Sequence, residues 1–191
     1  MKKRFLIPIL FTTFFTGCDV IEDKHAKVVD SEVEGLEYQC SGLIEYTNKS
    51  GALSCAHTPV GFKIGEIRLG LIYKIPKDGI ILPQDIVGVP RGNITDKNVI
   101  KLSMVLQTLD SDNNPENGIT ITKETREKLS NIPIDLKKMN INEIKELIQA
   151  QLGDVNFTKP KKSILHLNNS MRRFNIQEST NLNLNNFIFE E

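Results

Sequence analysis

The sequence predicts an α+β protein, mainly β with helices: a small antiparallel β-sandwich followed by two or three short helices and an irregular C-terminal tail. Three observations carry this. From Val28 short runs of β-formers are separated by turn residues, and over 60–65 and 67–71 apolar residues alternate with polar or small ones. From Asp96 onward the period changes, and apolar residues fall at helical i, i+3, i+4 spacing over 96–109 and 140–152. Beyond Gly153 neither period holds for long.

Residues 1–17 come first. Met1-Lys2-Lys3-Arg4 is a basic start, Phe5 to Phe15 is apolar, and Thr16-Gly17 is a small-residue site, the layout of a secretory leader. The apolar run is shorter than the roughly 20 residues a membrane span needs. Residues 18–27 are charged and read as a short tether.

Residues 28–131 form the sandwich. Val28-Val29, Leu36 to Cys40, Leu43 to Tyr46, Ala52 to Cys55, Val60 to Gly65 and Ile67 to Leu71 are the strand candidates. Asn48-Lys49-Ser50-Gly51 is a turn, with Gly51 free to take a positive φ. Residues 74–97 carry Pro76, Pro83 and Pro90 and read as loop. Val99, Leu102, Val105, Leu106 and Leu109 make the stripe of a helix that Asp96 or Asn98 caps. Ile119 to Ile121 is a brief strand and Lys123 to Ser130 a short helix.

Residues 132–191 are the helical extension and tail. Asn140 or Asn142 caps a helix striped by Ile141, Ile144, Leu147 and Ile148, which Gly153 ends. The alternation Asn181-Leu182-Asn183-Leu184-Asn185 suits an edge strand or a segment that orders on a partner.

Composition narrows the function classes. The whole chain balances 24 basic against 24 acidic residues; without the leader's Lys2, Lys3 and Arg4 the balance is 21 against 24. No basic field attracts nucleic acid. With no tryptophan, a carbohydrate-stacking platform has little to build on. Of three cysteines, Cys18 ends the leader, and Cys40 with Cys55 form an even remainder. Outside the cytoplasm that remainder favours a disulfide, with two free thiols or a metal pair as the alternatives. Two cysteines supply too few of the four protein ligands that a structural zinc site usually takes.

Phe15-Thr16-Gly17-Cys18 resembles the lipobox of bacterial lipoproteins, with Phe15 where leucine is commoner. The resemblance implies cleavage after Gly17, diacylglycerol on the Cys18 thiol, and anchoring in the outer or inner membrane of a bacterial envelope. Two or more acyl chains hold firmly where one is marginal. A second resemblance rests on Val29-Asp30-Ser31, Val33-x-Gly35-Leu36-x-Tyr38-x-Cys40, Ser50-Gly51-Ala52-Leu53, Phe62-x-Ile64-Gly65 with Leu69-Gly70, and the longer Leu106-Gln107-x-Leu109-Asp110-x-Asp112-x-Asn114-Pro115-x-Asn117-Gly118-Ile119-x-Ile121. Over Val28 to Ser130 the chain looks like a carboxypeptidase-regulatory-like or transthyretin-like β-sandwich domain of surface lipoproteins and adhesin-like envelope proteins. That implies a binding or structural module with a protein partner, and it carries over no catalytic residue.

Chemistry has few carriers. Asp110, Asp112 and Asn114 place oxygens at alternate positions of a loop, a pattern that can converge on Ca²⁺, although Pro115 and Ile121 stand where an EF-hand needs glycine and glutamate. Equally, such side chains satisfy turn and cap N–H groups. His25, His57 and His166 stand singly, and no hydrolase elbow, zinc-protease or phosphate-loop motif occurs. Glu143 and Glu146 fit a solvated helix face with Lys137, Lys138 and Lys145. Lys159, Lys161, Lys162, Arg172 and Arg173 form a basic cluster suited to a mobile segment, to anionic lipid or to an acidic partner. The expectation is a non-catalytic envelope module, with a small hydrolase built from scattered residues as the alternative.

Overall fold

The computed structural model describes residues 24–176. The expected leader, Cys18 and the Asn181–Asn185 alternation lie outside the described residues. Seven strands come first: β1 (Lys24–Val28), β2 (Val33–Glu34), β3 (Glu37–Cys40), β4 (Leu43–Tyr46), β5 (Ala52–Cys55), β6 (Val60–Ile64) and β7 (Ile67–Ile72). There follow β8 (Ile80–Ile81), α1 (Pro83–Val87), α2 (Lys97–Thr108), β9 (Ile119–Thr120), α3 (Lys123–Lys128), β10 (Ile134–Asp135), α4 (Ile141–Leu152) and α5 (Pro160–Arg173). The α+β class is as the sequence predicts.

Two main sheets form a sandwich-like body. One runs β5-β1-β8 and the other β10-β7-β6-β3-β4, while β2 and β9 form a separate pair. The hairpins pair antiparallel, but β1–β8, β7–β10 and β2–β9 pair parallel, so the sheets are mixed. Each parallel strand arrives from far along the chain, and only the long connection makes that direction available.

The tether is shorter than expected. Lys24 to Lys27 belong to β1, the central strand of its sheet, with β5 on one side and β8 on the other. Only Ala26 and Val28 of this strand are buried, and Lys24, His25 and Lys27 face water. Two inward apolar residues are too thin a signal to stand out against the charges around them.

Cys40 and Cys55 are disulfide-bonded, Cα atoms 5.8 Å apart, tying β3 of the larger sheet to β5 of the smaller. A cross-link over this separation stabilises by roughly 3 kcal/mol through lost chain entropy. Gly51 has a φ of 70°, and its carbonyl accepts from Val28 N. Within 74–97 the expected loop holds β8 and α1. Helix α1 packs on β7 at Gly70, where a Cβ would stand 2.3 Å from the Ile86 carbonyl oxygen.

Asp96 caps α2 by accepting from the N–H groups of Asn98 and Val99. Asn140 and Glu143 form a reciprocal cap on α4, which ends at Gly153. Among the buried residues Lys101 donates to the carbonyls of Leu136 and Met139 at 2.6 and 2.8 Å, fastening α2 to the segment before α4.

The division expected at 131/132 does not appear in the packing. β10 extends the larger sheet, and Ile144, Ile148, Ile164, Leu167 and Met171 join the same buried cluster as Val28, Leu36 and Leu102. Residues 160–173 also depart from the expected irregular tail by forming a helix of 14 residues. Pro160 supplies the first turn, and Ile164, Leu167 and Met171 give a seam at i, i+3, i+7. Between them the buried face carries Ser163, His166, Asn168 and Ser170, which dilutes the apolar period. Among the described residues no helix is long and apolar enough to cross a membrane.

Candidate functional site

The β1–β2 turn, Asp30-Ser31, projects into a polar cluster roofed by α5. The turn closes between the Val29 and Glu32 bridge, with Ser31 at a φ of 59°. Both turn residues have no exposed surface. Their backbone and side-chain groups therefore need partners inside the protein, and these come from α2, α5 and the turn at Pro115 to Asn117.

Helix α2 contributes Gln107, whose amide donates to both Asp30 carboxylate oxygens at 3.3 and 3.1 Å and to the Ser163 carbonyl. Helix α5 contributes Ser170, which accepts from Ser31 N at 3.0 Å, and His166, whose Nε2 stands 3.1 Å from Ser31 Oγ. The other ring nitrogen, Nδ1, lies 3.0 Å from Glu116 Oε1. A carboxylate accepts, so Nδ1 carries the donated proton there. Arg173 donates to Ser31 Oγ at 2.8 Å and stands 3.6 Å from Glu32.

Burial dominates the electrostatics of Asp30. It pushes the carboxyl up to about 6, against the opposing pull of His166, with Oδ1 at 3.8 Å from Nε2, and of the Gln107 amide. A carboxyl held that far above its ordinary range titrates between mild acid and neutrality.

Ser31, His166 and Glu116 are strung in the order and at the spacing of a nucleophile, base and orienting carboxylate. The surroundings of Ser31 oppose that use. Its one hydroxyl proton goes to the Pro115 carbonyl at 2.5 Å, not to the imidazole, and Arg173 covers the oxygen. Next to the cluster a cavity of about 360 Å³ is lined by Glu116, Lys159, Lys161, Lys162, Leu165, His166 and Asn169, and Ser31 is not among them. In this arrangement the cluster clasps α5 to the body.

This cluster was hidden from sequence reasoning. Ser31 and His166 are 135 residues apart, and Glu116 and His166 are 50 apart, so no local motif exists. Along the sequence His166 stands as a lone histidine in the C-terminal extension.

The Asp110–Gly118 loop is largely self-satisfied. Asp112 accepts from Asn114 N through one oxygen and from the Asn117 amide through the other, both at 2.9 Å. Asp110 is buried and accepts from Thr120 N through Oδ1, while Oδ2 has no hydrogen-bond partner. Burial and the neighbouring Asp112 push the Asp110 carboxyl up, and hydrogen bonds from Asn117 and Asn114 hold Asp112 down. Asp110 and Asp112 do meet, but both oxygens of Asp112 are already engaged. Among the described residues no three His, Cys, Asp or Glu side chains gather as metal ligands.

The other notable surface is the β4 edge. In the larger sheet β4 is outermost, and its four residues are all exposed: Leu43 at 65 %, Ile44 at 49 % and Tyr46 at 52 %, with Glu45 between. The pairings Ile44–Gln39, Gln39–Gly61 and Gly61–Leu71 put Ile44 and the exposed Leu71 in one cross-strand row. Comparison with known proteins adds no assignment: no family model, no curated protein and no solved structure matches the chain.

Proposed function

We propose that the chain is a lipid-anchored, non-catalytic binding module of the bacterial cell envelope, which takes up an extended segment of a partner protein along β4. The observation that carries this is an open sheet edge flanked by exposed Leu43, Ile44 and Tyr46. Such an edge offers main-chain donors and acceptors to an added strand, and its apolar side chains offer pockets for alternate residues of that strand. The leader and Cys18 support the anchor, and the Cys40–Cys55 bridge suits a compartment outside the reducing cytoplasm.

Two measurements test it. Mass spectrometry of the N-terminal peptide from native membranes is expected to show acyl chains on Cys18; a free thiol there sinks the anchor. Proximity labelling in the native cell is then repeated with Ile44→Pro, which removes a ladder N–H from the edge. The partners labelled by the unaltered protein are expected to vanish, and an unchanged set refutes the β4 interface.

Hydrolysis is a second reading, favoured by the Ser31–His166–Glu116 spacing alone. It requires α5 to lift so that Ser31 is uncovered. A fluorophosphonate probe that labels Ser31, and fails on Ser31→Ala, is the result it needs; no labelling ends it.

A further inference from the structure

The exposed face of α5 has a charge pattern that the proposed function leaves unused. Lys161, Lys162, Leu165, Asn169, Arg172 and Arg173 are its exposed residues, recurring every three or four positions along one side. All four charged residues of this helix are basic. By contrast α3 and α4 mix acids with bases: Lys123, Glu124, Arg126, Glu127 and Lys128 on one, Glu143, Lys145 and Glu146 on the other. Lys159 stands immediately before α5 and joins Lys161 and Lys162 around the 360 Å³ cavity. The one acid in that lining is Glu116, which is hydrogen-bonded to His166. Leu165, 42 % exposed, sits between the lysines and Asn169.

We infer that this face of α5 docks on an anionic phospholipid surface, with lipid phosphates seated among Lys159, Lys161 and Lys162 and Leu165 reaching the headgroup level. The inference rests on the lipid-anchored reading for its choice of occupant. Five residues separate Cys18 from β1, a reach of at most about 20 Å when fully extended. A body held that close to a bilayer meets headgroups constantly, and the face it turns to them is set by charge. The apolar face of α5 is buried in the body, so the outward face attracts such a surface through its clustered cations, with Leu165 among them. Each basic residue near an anionic surface raises partitioning about fivefold. An acidic protein is the competing occupant, and the test below separates the two.

The test uses residues 18–191 with Cys18→Ser, which keeps every described residue and removes acylation, so its outcome does not depend on the anchor. Co-sedimentation is measured with phosphatidylcholine vesicles and with vesicles holding about 30 mol% phosphatidylglycerol, at low and at raised salt. The expected result is at least tenfold stronger binding to the anionic vesicles, weakened by salt. Lys161→Glu with Lys162→Glu is expected to bring binding down to the phosphatidylcholine level. Lys137→Glu with Lys145→Glu, an equal charge change on other exposed lysines, is expected to retain most of it. Leu165→Asn is expected to lose severalfold. Circular dichroism checks that each variant is folded. Equal binding by the Lys161/Lys162 variant and the unaltered chain, equal loss in the control variant, or no preference for anionic vesicles overturns the inference. So does full binding by Leu165→Asn together with equal retention on polyglutamate, which assigns the face to an acidic protein. An unmodified Cys18 in cells together with positive vesicle binding would instead discard the anchor and leave the α5 face standing.

Discussion

Two polar clusters brace this molecule, and they handle charge in opposite ways. Around Arg91, the guanidinium donates to Asp78, Asp85 and the Ile80 carbonyl, with Asp78 partly open to water. A fixed cation satisfies two anions, and Asp78 is held below its ordinary range, first by the hydrogen bond from Arg91. Around Asp30 no water reaches the carboxyl, the neutral Gln107 amide donates to it, the His166 ring stands 3.8 Å away, and burial raises it. The difference teaches that hydrogen bonds alone do not fix a protonation state. Arg91 and Asp78 keep their charges throughout ordinary pH, whereas Asp30 changes its proton count within it.

Breaking the second cluster has the largest expected effect. His166→Ala leaves Asp30 without its nearby imidazole and deprives Ser31 and Ser170 of a partner, at a cost of roughly 3–4 kcal/mol. Urea unfolding at pH 7 measures the loss, and amide exchange is expected to show α5 opening first. An effect below about 1 kcal/mol would mean the clasp is energetically idle.

Asp30→Asn sharpens the comparison through pH. A carboxyl whose folded pKa lies above its unfolded one binds its proton more tightly when folded. Its contribution to stability is therefore full below the unfolded value near 3.8 and is lost as pH rises through about 6. Asparagine does not titrate, so Asp30→Asn is expected to gain on the unaltered protein by roughly 2–3 kcal/mol between pH 4 and pH 7. His166 and Glu116 face the same carboxyl, so the two proteins are compared at each pH to isolate Asp30. A constant gap across that range would show that Asp30 titrates as it does when unfolded.

The smallest effect is expected at the other cluster. Arg91→Ala releases two carboxylates that water can reach, at about 1–2 kcal/mol. Asp78 has the opposite sign to Asp30: its depressed pKa contributes stability above about 3.8 that is lost as pH falls through the lower folded value. The gap between Arg91→Ala and the unaltered protein is therefore expected to stay level from pH 7 to pH 5 and to shrink only in stronger acid. Thermal melts over that series check it.

Legibility in the sequence follows range along the chain. The hairpin strands, the Asp96 and Asn140 caps and the Gly51 turn were readable because their causes lie within a few residues. The disulfide followed from counting, once an oxidising compartment was assumed. Strand β1 was missed because only Ala26 and Val28 point inward, and α5 because its buried face alternates Ile164, Leu167 and Met171 with His166, Asn168 and Ser170. The parallel partners β8, β9 and β10 are two-residue strands whose pairing depends on distant neighbours. The Asp30–Ser31–His166 cluster had no local signature, since tertiary folding alone brings its parts together.

The Ser31–Ser170 hydrogen bond spans 139 residues, from the β1–β2 turn to α5, the last helix among the described residues. A chain made from its N-terminus onward produces Asp30 and Ser31 early and must keep them open until α5 has been synthesised. A product cut short before residue 160 lacks the Ser170 and His166 groups that meet Ser31. The clasp therefore closes only over a chain made to the end of α5.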